Sequence, residues 1–523
     1  MAGKYYVILL LALLSSCAQV DSITGGPEDE FAPKPMEELM EPQNATTNYT
    51  GNTFVIPFDE YFQLNNPAQT IRMVPPHATV IAEMKRKTLY LSWEDTLEAN
   101  TTYAIYLNGT VKDLNQGNDT TLQLVFSTGA VLDTTSYTVG VVDAFTGEPI
   151  SDLTVALFDP ESNRLKSLAR SDRGVAKLNY LTPGNYTIRA FEDKNLDLEP
   201  QDDERVGFTE SGTITVDTNY FDSIPIRTYA PFPNQRYKVK SFIPPATFEL
   251  EATADIRYYG LKNAKVNGKE ASFLSDEKKG TYYVVSPDTM GENITEVEIT
   301  HITDSTDVID TLSYRFRNKE REGPIVMKSL HETVIAPGDT LKYELYGQVS
   351  GWQDTLIELM QTEDSMIITS YDILLNDHQL FLKMDESVKG KVQLTFKKGA
   401  IQTPFGNSKA FKETVSMNSE DDYGVLNINL SGYTSPIVLE MLKGSSIDKK
   451  MIIEGPTQVL KLELLKPGSY TFRVIRDDNG NGLWDIGNLE TLTQPERVDS
   501  YSKEVKVRAN WEVEITLNPS ENE

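Results

Sequence analysis

The chain is short of most of the side chains that do chemistry. A single cysteine, Cys17, stands among 523 residues, so no disulfide can form within it. The four histidines, His77, His301, His331 and His378, are scattered singly, and HETV (331–334) lacks the second histidine of a zinc-protease motif. There is no Gly-x-Ser-x-Gly elbow and no glycine-rich phosphate loop. With this many acids a glycosidase-type carboxylate pair stays open on composition, but no motif points to one. Basic residues are in deficit: 49 Lys and Arg face 77 Asp and Glu, a net charge of −28. That balance excludes the basic face a nucleic acid requires and disfavours adsorption to anionic lipid. Its plain meaning is a soluble, self-repelling surface. Beyond residue 14 no run approaches the roughly 20 apolar residues of a membrane-spanning helix. The expectation is a protein that is not an enzyme.

What is present begins at the N-terminus. Lys4 precedes YYVILLLALL (5–14), an apolar stretch too short to span a bilayer and suited to the centre of a signal peptide. LSSC (14–17) resembles a bacterial lipobox. The resemblance implies a signal peptide over 1–16 and lipidation of Cys17, with acyl chains holding an otherwise soluble protein to membrane lipid. Residues 17–43, rich in Gly, Pro and acids and without an apolar period, predict an extended, mobile tether.

The remainder is too long for one core. Its apolar runs alternate at the strand period, as in LQLVFS (122–127) and YTVGVV (137–142). In WEVEITLN (511–518), Trp511, Val513, Ile515 and Leu517 fall on one face and Glu512, Glu514, Thr516 and Asn518 on the other. Trp93 and Trp511 are accordingly expected in cores. Helical period is almost absent; MEELM (36–40) is too short to count. The fold class predicted is all-β, a string of antiparallel β-sandwiches.

An internal repeat divides the string. LTPGNYTIRAFEDKN (181–195) and LKPGSYTFRVIRDDN (465–479) share Leu, Pro, Gly, Tyr, Thr, Arg, Asp and Asn at one constant offset. Glu204-Arg205-Val206 then answers Glu496-Arg497-Val498. In each copy Pro-Gly makes a turn, after which Tyr186, Ile188 and Ala190, or Tyr470, Phe472 and Val474, face a core. The PGxYxxR signature resembles the seven-stranded transthyretin-like, or carboxypeptidase-regulatory-like, sandwich. TFVIPFDEYFQL (53–64), the TTY strand and FSTG (126–129) resemble the bacterial Ig-like domain of S-layer proteins. LKYELYGQVS (341–350), with residues 380–417, looks like a degraded second copy. The domains expected are therefore a bacterial Ig-like domain (44–131), a transthyretin-like domain (132–228), a β-sandwich of unassigned type (229–320), a second Ig-like domain (321–418) and a second transthyretin-like domain (419–523).

Together with TGGPED (24–29), DDNGNGLWDIG (477–487) and VRANWE (507–512), this order resembles a family of Ig-like-domain outer-membrane lipoproteins of Bacteroidota. The resemblance implies a lipid anchor in the outer membrane, on its periplasmic or its surface face. It leaves two roles open. One is a non-catalytic scaffold or accessory subunit of an envelope complex, with an outer-membrane protein as partner. The other is a surface adhesin or glycan-binding receptor, which would call for an exposed aromatic platform. Asp-Ser/Thr-apolar triplets, such as those beginning at Asp95, Asp222, Asp310 and Asp354, resemble the O-glycosylation site of exported Bacteroidota proteins and are also ordinary turn vocabulary.

The acidic loop after each repeat strand raises the one question of a metal. A calcium loop needs oxygen ligands at positions 1, 3, 5, 7, 9 and 12 and a glycine at 6. The later loop offers Asp477, Asn479, Asn481 and Asp485 with Gly482 at position 6, but Asn488 at position 12 cannot give a bidentate carboxylate. The earlier loop offers Asp193, Asn195, Asp197 and Glu204 at position 12, but Leu198 at position 6 compromises the sharp turn. Two readings stay open: Ca2+ held by oxygens alone, or an Asx-rich turn with Gly480 and Gly482 at positive φ and Trp484 covering the sandwich end.

Overall fold

The computed structural model describes residues 31–519 apart from 115–116, 202, 232–235, 254–260, 277–280, 289–293, 304–305, 317–323, 377, 405, 435 and 456–458. The expected signal peptide, Cys17 and the TGGPED stretch lie outside the described residues. The second half of the expected tether is not free. Met36 N–H donates to Pro57 O, Glu41 pairs with Val55, and Met40 is buried in the first core. One apolar side chain and a short run of backbone pairing are enough to lay this segment on the sandwich, which therefore starts near residue 35.

The regular secondary structure of the described chain is almost all strand, as the alternation predicts. In the first sandwich, Thr53–Pro57, Thr88–Ser92 and Ile81–Lys85 form one sheet. Phe62–Leu64, Thr102–Asp113, Ile71–Val74 and Asp119–Ser127 form the other. Trp93 and Tyr103 each stack on Phe126 with ring centroids 5.6 Å apart. Each such fully buried large side chain contributes about 1.5–3 kcal/mol.

Each PGxY copy sits in a sandwich of its own. In the first, seven strands run in the order Leu165–Arg170, Thr154–Phe158, Gly184–Phe191, Val206–Phe208, Tyr220–Tyr229, Thr135–Asp143 and Val175–Leu181. Ile214–Val216 adds to Gly184–Phe191. In the second, Val459–Leu465, Gly424–Asn429 and Glu512–Thr516 face Ser446–Ile453, Ile437–Lys443, Gly468–Arg476 and Val498–Val507. Both copies carry the same parallel pairing of first and last strands, Thr135–Asp143 with Tyr220–Tyr229 and Gly424–Asn429 with Glu512–Thr516. The inward residues are those expected: Tyr186, Ile188 and Ala190 in one core, Tyr470, Phe472 and Val474 in the other. The Pro-Gly pairs lie between the strands as expected, with Thr182 and Pro183, and Lys466 and Pro467, as the connecting residues. Positive φ falls on Tyr180 and Leu464, at equivalent places before the Pro-Gly pairs, and not on the glycines.

Trp511 corrects the reading of the final strand. It is 62% exposed, because the strand begins only at Glu512 and Trp511 belongs to the turn in which Asn510 has φ 51°. Val513, Ile515 and Leu517 do turn toward the core. Between the repeats, residues 237–315 form one seven-stranded antiparallel sheet rolled over a single core, with Tyr237–Ile243 returning beside Thr306–Arg315. The next sandwich packs Tyr343 against Phe396 and Phe411.

The string folds back on itself. One apolar cluster joins Val74, Ala104, Tyr106 and Val125 of the first sandwich to Phe158, Phe191 and Tyr229 of the first repeat unit. The same cluster takes in Val438, Ile475 and Trp484 of the second repeat unit, more than two hundred residues later in the chain. Three units thus share a core, and the acidic loops lie at their junction.

Candidate functional site

Each loop is closed by the same hydrogen bonds. In the later copy Gly482 N–H donates to Asp477 Oδ2 at 2.8 Å, Asn481 N–H to Asn479 Oδ1 at 3.0 Å and Leu483 N–H to Asn481 Oδ1 at 2.7 Å. In the earlier copy Leu198 N–H donates to Asp193 Oδ1 at 3.4 Å, Asp197 N–H to Asn195 Oδ1 at 3.1 Å and Glu199 N–H to Asp197 Oδ1 at 2.8 Å. These are successive Asx turns, in which short side chains accept from the backbone two or more residues on.

A buried carboxylate clamps each loop from behind. Glu204 Oε1 accepts from Lys194 N–H at 2.7 Å and its Oε2 from Gln201 N–H at 3.0 Å. Glu496 does the same for Asp478 at 2.8 Å and Asp485 at 3.0 Å. Glu204 and Glu496 are only 2% and 8% exposed, and Asp477 is fully buried. Burial pushes the Glu496 carboxyl up to about 7, against the two N–H donors that favour its charged form. Burial also raises the Asp193 carboxyl.

Sequence reasoning took Glu204 for a position-12 ligand and did not single out Glu496. The signal was the match of Glu204-Arg205-Val206 to Glu496-Arg497-Val498, which aligns the clamps although the later loop is longer. The expectation of a compromised turn at Leu198 does not hold. Leu196 and Leu198 adopt φ 61° and 65° where Gly480 and Gly482 have 72° and 75°. The hydrogen bonds hold two leucines in a conformation that costs about 1–2 kcal/mol each.

Asn479 Nδ2 and Asn481 Nδ2 donate to Asp485 Oδ2 at 2.6 and 2.9 Å, so amide N–H groups converge where a cation would need oxygens. In the other copy Asn195 Nδ2 donates to Asp197 Oδ2 at 2.8 Å. Among the described residues, no three His, Cys, Asp or Glu side chains gather as a metal site.

The loops also join the units. Trp484 does not simply cover the end of its own sandwich. Its ring meets Phe145 of the first repeat unit edge-on at 4.9 Å, while Nε1–H donates to Glu496 O at 3.0 Å. The Arg473 guanidinium lies 4.5 Å over the Phe145 ring and pairs with Glu440 at 2.9 Å. Arg227 donates to Pro495 O at 3.1 Å, Gln494 to Phe208 O at 3.0 Å, and Arg497 pairs with Glu210 at 2.9 Å. Gly487 lets the backbones approach: a Cβ there would stand 2.6 Å from the Tyr229 ring and 2.8 Å from Thr493 O. Arg72, from the first sandwich, reaches Leu196 O at 2.7 Å.

With this geometry in place, comparison identifies one unit. Residues 35–128 match the bacterial Ig-like domain family. The bacterial Ig-like unit is thus the first sandwich, including the segment 35–43 that the sequence assigned to the tether. No curated protein matches the chain. Among solved structures, domains 4–9 of the surface layer protein SbsC align at 12% identity and a TM-score of 0.21, over 78% of this chain and 64% of that one. The native conformation of E. coli alpha-2-macroglobulin aligns at 10% identity and a TM-score of 0.12, over 88% of this chain and 41% of that one. A chimeric titin Z1Z2 aligns at 12% identity and a TM-score of 0.14, over 35% of this chain and 96% of that one.

Of the Asp-Ser/Thr-apolar triplets, the hydroxyl residues Thr96, Ser223, Thr311 and Thr355 are exposed, Thr340 is half-buried, and Ser22 lies outside the described residues. The histidines show no common site: His77 accompanies Glu98 at 3.7 Å, and His331 stands 3.2 Å from Glu413.

Proposed function

We propose that the chain is a non-catalytic lipoprotein of the outer membrane, anchored through acyl chains on Cys17 and acting as a scaffold or accessory subunit of an envelope protein complex. The observation that carries this reading is the shared core of the first, second and last units. Loosely linked sandwiches move independently by default; here the return of the last unit makes a firm frame with loop tips and sheet edges facing outward. Such edges are the surfaces on which β-rich partners add strands. The repeated strand order with its parallel pair supports the transthyretin-like assignment of both repeat units. The acidic loops serve this frame as turns that dock the units, and Ca2+ would bind only if the Asn479 and Asn481 amides turned over.

The test is mild detergent extraction of the tagged chain from its own outer membrane, followed by mass spectrometry of what co-purifies. A stoichiometric outer-membrane protein is expected, together with loss of membrane retention in Cys17→Ala. Recovery of the lipoprotein alone would overturn the subunit role and direct attention to a surface receptor.

A further inference from the structure

The long hairpin of the bacterial Ig-like unit, Thr102–Asp113 with Asp119–Ser127, meets the first repeat unit at Ala104, Tyr106 and Val125, near its open end. Its tip lies at the other end of the unit, and there three large hydrophobic side chains face solvent. Phe31, Tyr61 and Leu114 are 66%, 54% and 52% exposed. Single exposed apolar residues are ordinary, whereas a group held together marks an interaction surface.

Hydrogen bonds hold these three segments together. Asn118 Nδ2 donates to Phe31 O at 3.5 Å, and Asp113 N–H donates to Asn118 O at 2.8 Å, closing the tip that carries Leu114. Lys34 N–H donates to Asp59 Oδ1 at 2.8 Å and Lys87 Nζ to Asp59 O at 2.7 Å, which ties the segment entering at Phe31 to the turn that carries Tyr61. An ammonium stands over each ring. Lys34 Nζ is 4.9 Å from the Phe31 centroid and Lys87 Nζ 5.2 Å from that of Tyr61.

Rings with lysines beside them are the side chains that settle at a membrane–water interface, the ring at headgroup level and the ammonium reaching toward water and phosphate. The position of the patch points to the bilayer as the surface it meets. Cys17 and Phe31 are fourteen residues apart, so even a fully extended chain keeps the patch within roughly 50 Å of an anchor on Cys17. The chain that comes from that anchor enters the fold at Phe31 itself. A net charge of −28 disfavours anionic lipid, so the matching bilayer surface is zwitterionic and the contact rests on the apolar side chains.

We propose that Phe31, Tyr61 and Leu114 seat the bacterial Ig-like unit in the headgroup region of the bilayer that holds the anchor. The inference rests on the lipid anchor proposed above and adds the face that the anchor brings to the lipid.

Cys17, the only cysteine, allows the anchor to be supplied chemically, by coupling the chain 17–523 to phosphatidylcholine vesicles that carry a maleimide lipid. Failure of native lipidation would leave this test intact, and failure of this test would leave the anchor reading intact. Tyr61→Trp, on the patch but outside the tether, is the reporter, with brominated phosphatidylcholine as quencher and the emission of the otherwise native chain subtracted. Its emission should shift to the blue and be quenched. Val131→Trp, just past the open end of the hairpin, should show neither change. Phe31→Ser combined with Leu114→Ser should abolish the shift and the quenching of Tyr61→Trp while leaving the circular dichroism of the chain unaltered, since both side chains are exposed. Equal quenching of the two reporters, or quenching that survives the loss of Phe31 and Leu114, would overturn the proposal. An unquenched Tyr61→Trp would overturn it too and turn the patch over to a protein partner.

Discussion

The two acidic loops hold the same hydrogen bonds on different residues, and the difference separates what the turn needs from what sequence motifs suggest. The later loop has glycine at both positions of positive φ; the earlier has Leu196 and Leu198. The later loop presents Asp477 and two asparagines, the earlier Asp193, Asn195 and Asp197. What stays constant is the Asx acceptor pattern and the buried glutamate behind it. In both copies the acidic spacing satisfies backbone N–H groups. Only the later loop carries Trp484 and Gly487; the earlier loop meets a second unit through Leu196 O, which accepts from Arg72.

The largest effect should come from removing a clamp. Glu204→Ala and Glu496→Ala each strand two loop N–H groups, at about 1–3 kcal/mol per buried group. Hydrogen exchange at the amides of Lys194 and Gln201, or of Asp478 and Asp485, should accelerate by one to several orders of magnitude. Protection retained in either variant would break the equivalence of the copies. Next is Gly487→Val. Its side chain meets the Tyr229 ring, Thr493 O and Pro495, so the repeats should separate at a cost of about 1–3 kcal/mol while each core stays folded. A red shift of Trp484 emission reads this out, and an unshifted spectrum would deny the contact.

A pH dependence distinguishes the later loop further. The Glu496 carboxyl titrates near 7 in the folded chain, above its ordinary value of 4.5. The folded state therefore binds that proton more tightly than the unfolded one. This contribution to stability is fully present below about 4.5 and is lost as pH rises through about 7. Denaturant midpoints of the wild type compared with Glu496→Gln across that window should show the slope only in the wild type. The smallest effect belongs to Leu196→Gly, which should stabilise the earlier loop by at most about 1 kcal/mol, strain relief being partly offset by glycine's entropy. A clear loss would mean that Leu196 contributes packing beyond its backbone role.

Much of this was legible beforehand. Period-two alternation located the strands, and the two PGxY copies marked two sandwiches with their inward residues. Alternation misplaced Trp511 because a strand's start depends on a turn, here Asn510 at positive φ, that has no apolar signature. The tether boundary failed at Met40, where one apolar residue in an acidic, proline-rich stretch is a weak signal. Glycine absence misjudged Leu198, because hydrogen bonding can hold a leucine in the left-handed region. The return of the last unit to the first two was not readable at all. Its determinants, Phe145, Trp484, Gly487 and Arg497, are dispersed in sequence and carry no local pattern.

Distance measurement by pulsed electron spin resonance tests the return of the last unit to the first two most directly. Nitroxide labels would replace Glu210 and Arg497, whose side chains pair across the junction at 2.9 Å, in a chain carrying Cys17→Ser. One short, narrow distance is expected, which Gly487→Val lengthens and broadens. A long or broad distribution in the otherwise unaltered chain would show that the repeats do not dock.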